Sequence, residues 1–136
     1  MKGRKKTAIV AVVAILGFWL LSKSVNALAK DSGAISYKTH CATCHGNNGE
    51  GFEKLLPPLA SDWLENNMNS VPCIITNGLK DTIEVNGVVY AEEMLPLKDL
   101  TEIEILNITN YISKKFTKEK KFYNQKEIKQ LMEQCH

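Results

Sequence analysis

The 136-residue chain has no internal repeat and no low-complexity tract, so it is neither a repeat array nor a fibrous sequence. At 44% hydrophobic and 24% charged residues it has the composition of an ordinary folded domain, and its length suits one compact domain with appendages. A long apolar run is also missing. The longest, Ala8–Leu21 ("AIVAVVAILGFWLL"), has fourteen apolar or glycine residues. As a helix it reaches about 21 Å, short of a hydrocarbon core of roughly 30 Å. Acidic residues are absent from Met1–Ala29, where Lys2, Arg4, Lys5, Lys6 and Lys23 carry all the charge. A basic face on the main body is lacking as well. Residues 30–113 hold five lysines against twelve acids, net −7, and residues 114–136 hold seven lysines against three acids, net +4. The overall charge of +2 therefore conceals an acidic body with a basic tail, which excludes a nucleic-acid-binding domain and leaves the tail as a solvated charged helix.

What the amino terminus does contain is a basic stretch, "MKGRKK", followed by the apolar run and by "NALAKD". A run of this length fits the h-region of a signal peptide, with Ala27 and Ala29 as the small residues before a cleavage site and Lys30 first in the mature chain. An uncleaved membrane tether through residues 7–29 is the other reading, with Lys23 reaching to the interface. Both place the domain outside the cytoplasm, in the periplasm or on the outer face of the cytoplasmic membrane, and both put its cysteines in an oxidising compartment.

The mature chain reads as short helices joined by glycine- and proline-rich connections. "DSGAISYKTHC" is expected to be helical, capped by Asp31 or Ser32, with Ala34, Tyr37 and Cys41 on one face. Gly46, Gly49, Gly51 and Pro57-Pro58 make the next stretch a loop. Ser61 caps a second helix, "DWLENNMN", and "VPCIITN" forms a third, ended by Asn77-Gly78. "TIEVNGVVY" carries an Asn86-Gly87 hairpin signal and reads as a small flap beside the core. The strongest helix is "TEIEILNITNYISKKF", with a Thr101/Glu104 capping box and an apolar face of Ile105, Ile108 and Ile112. A last helix follows Asn124, with Glu127 completing a second capping box and Ile128, Leu131, Met132 and Cys135 as its stripe. So few residues in short helices build only a small core, which something apolar in the middle would complete.

A zinc site needs four converging ligands, but Cys41, Cys44 and the adjacent His45 point in different directions from one helix, and Cys73, Cys135 and His136 show no second clamp spacing. A thioredoxin-like dithiol needs a strand-to-helix junction, whereas here a helix precedes the pair and a glycine loop follows. Cys41-Ala-Thr-Cys44-His45 instead has the Cys-x-x-Cys-His form of covalent c-type haem attachment. Two thiols about one helical turn apart meet the porphyrin vinyl groups, and the adjoining imidazole reaches the iron. Among candidates for a second axial ligand, Met94 is best placed, in the loop "MLP" before the long helix. Met68 and Met132 look structural, and His40 points away.

The run "GAISYKTHCATCHGNNGEG…LPPLA…W…ITNG…VNGVVY…MLP…LTEIEILNITNYI" resembles class I c-type cytochromes, over about residues 32–113. It is most similar to small single-haem bacterial members, including cytochrome domains of copper nitrite reductases and subunits of periplasmic dehydrogenases. The resemblance implies an all-α fold of short helices around one haem c, with the hairpin flap and an extra C-terminal helix. The expected organisation is 1–29 as signal peptide or anchor, 30–116 as haem domain and 117–136 as a basic helical extension. The resemblance assigns the thioethers to Cys41 and Cys44, the proximal ligand to His45 and the distal ligand to Met94. It gives the carbonyl that orients His45 to Pro57 or Pro58, and packs Gly33 and Tyr37 against Tyr111. Trp63 is either a hydrogen-bond donor to a haem propionate or a plain core residue. Cys73 and Cys135 are then left over in an exported chain, either bonded to tie the tail to the haem domain or free.

The implied function is that of an electron carrier, not an enzyme, passing single electrons to redox partner proteins such as an oxidase, reductase or dehydrogenase. The alternatives are a haem enzyme or gas sensor with an open sixth position, and a fixed subunit of a larger oxidase or dehydrogenase.

Overall fold

A computed structural model describes residues 12–20 and 32–135. The expected cleavage site at Ala27–Ala29 and the ends of the alternative 7–29 tether lie outside the described residues. The chain divides into two compact units, residues 1–31 and 32–136. In the first, residues 12–20 are helical and nearly all exposed. No helix among the described residues is long and apolar enough to cross a membrane.

The second unit opens with helix α1, residues 32–40, which turns at Cys41 into the short helix α2, Ala42–His45. Helix α3, Asp62–Asn67, starts where the Ser61 hydroxyl accepts from the Leu64 N–H at 3.2 Å. A 3₁₀ turn, Met68–Ser70, leads into α4, Val71–Asn77, with Pro72 in its first turn. Strands β1, Ile83–Val85, and β2, Val88–Tyr90, pair antiparallel with Val85 opposite Val88. Their two-residue connection has positive φ at both Asn86 (53°) and Gly87 (77°), the type I′ geometry that an Asn-Gly pair tolerates. Helix α5, Glu102–Phe116, carries the Thr101/Glu104 capping box, and α6, Gln125–Glu133, the Asn124/Glu127 one.

The helices of this unit share one core. The α5 face of Ile105, Ile108 and Ile112 packs with Tyr37, Leu64, Met68, Val71 and Ile75. Helices α1 and α5 cross closely at Gly33, where any side chain would run into the Asn107 carbonyl oxygen and the Tyr111 Cβ. One turn later Tyr37 stacks 5.1 Å from Tyr111 and 5.5 Å from Phe116, centroid to centroid.

The stretch after Phe116 folds back onto this core instead of projecting from it. Asn110 on α5 clamps the backbone of Tyr123, donating to its carbonyl at 2.9 Å and accepting from its N–H at 2.7 Å. Tyr123 and Ile128 are wholly buried in the same cluster as Ile105 and Ile75, so burial of apolar surface holds the extension down. Cys73 of α4 and Cys135, just beyond α6, form a disulfide spanning 62 residues, with Cα atoms 5.4 Å apart.

Candidate functional site

A cavity of about 390 Å³ opens among α2, α3, α4, the hairpin and the loop bearing Met94. That volume lies in the range of small-molecule and cofactor sites. Its wall is predominantly apolar: Leu56, Pro57, Pro58 and Leu59 from the glycine loop, Val71, Ile74 and Ile75 from the α4 side, and Ile83, Val85 and Tyr90 from the hairpin. The hairpin lies beside the core, as expected, and also forms part of the cavity wall. Along its strands Ile83, Val85, Val88 and Tyr90 are less exposed than Glu84 and Val89.

Cys41, Cys44, His45, Trp63 and Met94 all line this one cavity, although they come from three separate parts of the chain. Cys41 is buried and Cys44 exposed, and neither is in a disulfide. The helical turn is set by the N–H groups of Cys44 and His45, which donate to the Cys41 carbonyl at 3.2 and 2.9 Å. Burial, assisted by the neighbouring Cys44, pushes the Cys41 thiol up to about 11, so the free side chain stays protonated at neutral pH.

His45 is half-buried, and burial lowers its pKa, so that the neutral imidazole is favoured. Its Nδ1 lies 3.4 Å from the Pro57 carbonyl oxygen. A carbonyl can only accept, so the proton sits on Nδ1 and Nε2 keeps its lone pair. The carbonyl facing the ring belongs to Pro57; Pro58 lines the cavity beside it without that contact. Tyr37 supports the turn from below, its hydroxyl donating to the Gly46 carbonyl at 2.8 Å, a bond that sequence reasoning missed because a buried tyrosine reads as packing alone.

Met94 is half-buried and lies far along the chain from the Cys-x-x-Cys-His turn. It is held by a two-bond bridge to Leu79, whose N–H and carbonyl each pair with Met94 at 2.9 Å. The Leu97 N–H donates to the Ile75 carbonyl at 2.9 Å. Met68 is buried in the core, and Met132 packs on it, away from the cavity lining. His40, exposed on its helix, reaches the cavity's edge.

A small helical fold with two thiols, an imidazole with a free lone pair and an apolar cavity beside them defines a class I c-type cytochrome. Residues 31–115 match the family model for cytochrome c, and the chain belongs to that family. It is 34% identical over 92 residues to a cytochrome c-552 of Thermus thermophilus, an alignment covering 64% of this chain and 62% of that protein. It is 32% identical over 78 residues to another Thermus thermophilus cytochrome c-552, covering 54% of this chain and 60% of the relative. The chain thus spans less than two thirds of the length of these relatives. Family membership implies covalently attached haem c with its iron. The residues present fit that group in the size and apolarity of the cavity, the two unpaired thiols and the imidazole tautomer.

Proposed function

We propose that this protein is an electron carrier that passes single electrons through one haem c, held by thioethers to Cys41 and Cys44. His45 is its proximal ligand through Nε2 and Met94 its distal ligand. The observation that carries this reading is that one apolar cavity is lined at once by the Cys-x-x-Cys-His turn and by Met94. When bound, the haem supplies a one-electron iron couple. The protein's part is to orient and insulate it. The Pro57 carbonyl fixes His45 and makes its imidazole a richer donor. The aliphatic wall would keep the iron in an apolar setting, and a His/Met ligand pair would favour a comparatively high potential and leave no open position for a substrate. Trp63 and Pro58 complete the wall, with the Trp63 indole N–H serving a propionate.

With His45 and Met94 both holding the iron, the protein would work as a carrier and not as an enzyme. Asp81, Glu92 and Glu93 are exposed at the edge of the same cavity, which supports redox partner proteins with basic patches and salt-sensitive encounters. The leading basic and apolar segment and the Cys73–Cys135 bond both support an exported, oxidising location, the periplasm or the outer face of the cytoplasmic membrane.

The test is an optical spectrum of the ferric holoprotein beside that of Met94→Ala. The expected result is a sulfur-to-iron charge-transfer band in the near infrared that the variant lacks. Unchanged spectra in the two proteins, or avid carbon monoxide binding by the ferrous wild type, would replace this reading with an open-site sensor or enzyme.

A further inference from the structure

We propose that the Cys73–Cys135 disulfide is a positioning clasp for Met94: it holds α4, and α4 holds the loop that presents the thioether. This rests on the reading of Met94 as distal ligand and goes beyond it by giving the C-terminal extension a role at the site.

The match to the cytochrome c family ends at residue 115, yet the chain after it buries Tyr123 and Ile128 completely. What it covers is the side of the fold that includes α4. Helix α6 is pinned at its two ends by different devices. Just before its start is the Asn110 clamp on Tyr123, and beyond its end is the disulfide to α4. Opening the disulfide therefore frees the end of the extension that is joined to α4, and leaves the end joined to α5 in place.

From α4 the connection to Met94 is short. Cys73 sits one residue before Ile74 and two before Ile75, both of which line the cavity. The Ile75 carbonyl accepts from Leu97, three residues beyond Met94. Leu79, two residues past the end of α4, makes both backbone bonds to Met94, and Lys80 pairs with Glu93 at 3.6 Å. Gly78 closes the gap, because its missing side chain leaves room for the Met94 carbonyl. The loop carrying the thioether thus hangs from α4 and the three residues that follow it.

A thioether is a weak neutral ligand, so its hold on iron depends on how often the loop is in the binding geometry. An external ligand sees the sixth position in proportion to the fraction of molecules in which the loop has swung away. By tying α4 down, the disulfide keeps that fraction small.

The experiment uses the ferric holoprotein and imidazole as the competing ligand, followed optically. In the Cys73→Ser/Cys135→Ser double variant imidazole should bind at least about fivefold more tightly than in wild type, in proportion to the larger open fraction. The amides of Leu79, Met94 and Leu97 should exchange faster with deuterium. Asn110→Ala, which loosens the other end of the extension with the disulfide intact, should lower the unfolding midpoint yet leave imidazole affinity within about twofold of wild type. If the double variant unfolds more easily but binds imidazole within about twofold of wild type, the clasp is only a global staple and the proposal is overturned. If the double variant does not fold, the bond is cleaved in the folded wild type with a phosphine and the thiols capped with iodoacetamide. The iron is then reoxidised with ferricyanide and the same titration decides. If Met94→Ala leaves the wild-type spectrum unchanged, the ligand reading itself fails and the clasp falls with it, an outcome distinct from an unaltered imidazole affinity.

Discussion

The Pro57 carbonyl oxygen lies 3.4 Å from His45 Nδ1, and the loop that delivers it is gathered at Gly51. The Gly51 N–H donates to the His45 carbonyl at 2.9 Å, so one residue touches the histidine's backbone while making room for the proline that faces its ring. Gly51 has φ +70°, and a Cβ there would overlap the Leu56 carbonyl oxygen and sit 2.8 Å from the Pro57 carbonyl carbon. Gly51→Ala should therefore cost roughly 2–3 kcal/mol in chemical denaturation, from backbone strain plus displacement of the Leu56–Pro57 segment. It should also raise the reduction potential, because an imidazole that donates a poorer Nδ1 hydrogen bond stabilises the ferric state less. Gly87→Ala is the control. That glycine has φ +77° but nothing within 4 Å, so it should lose only about 1 kcal/mol and leave the potential unmoved.

Tyr37 offers a second handle on the same turn. Its hydroxyl donates to the Gly46 carbonyl at 2.8 Å, and burial raises its pKa, so it remains a donor well into alkaline solution. Tyr37→Phe keeps the ring stacked on Tyr111 and Phe116 and should cost about 1–1.5 kcal/mol, the net worth of one hydrogen bond. Tyr37→Ala empties a fully buried site and should cost about 3–5 kcal/mol. Equal losses in urea titrations of the two variants would show that the ring is not what the site needs.

Gly78 shapes the Met94 loop much as Gly51 shapes the loop that faces His45. With φ 78° and ψ −176° it ends α4 in a conformation that is essentially glycine's alone. A Cβ there would collide with the Met94 carbonyl oxygen and approach Pro96 N to 3.1 Å. Gly78→Ala should lower stability by roughly 2–3 kcal/mol and, with Met94 as ligand, weaken the near-infrared band and tighten imidazole binding. A destabilised variant with the wild-type band would separate the strain from the ligand loop.

Local rules read the elements well and their assembly less well. Ser61, Thr101/Glu104 and Asn124/Glu127 announce helix starts because a cap is made by neighbours within three residues, and all three cap their helices in the structure. Asn86-Gly87 announces the hairpin for the same reason. That the hairpin walls the cavity, that Pro57 and not Pro58 faces His45, and that the Tyr37 hydroxyl reaches Gly46 are matters of tertiary placement. None follows from spacing, because each depends on how a glycine loop turns. The extension is the clearest case. Its capping box and stripe are legible, and the leftover Cys73 and Cys135 offer a tie to the haem domain that the disulfide makes. Yet a stripe of Ile128, Leu131 and Met132 by itself says only that something covers it. That Tyr123 and Ile128 enter the family core, with Asn110 clamping the Tyr123 backbone, comes from contacts across long separations in the chain.

The start of that extension also predicts how stability responds to acid. The Glu65 carboxylate on α3 accepts from the backbone N–H groups of Lys118 at 2.7 Å and Glu119 at 2.9 Å. These bonds, the one from Glu119 foremost, hold its pKa below the ordinary value of 4.5. The folded state therefore binds this proton less readily than the unfolded chain. The stabilisation is in place above about pH 4.5 and is lost as the pH falls from there through the lower folded value. Glu65→Gln removes the titration but keeps one oxygen to accept from these N–H groups. Thermal midpoints of the two proteins should differ most at about pH 6 and converge towards about pH 3. A gap of constant size across that range would mean that the side chain's shape, and not its charge, holds the extension at this point.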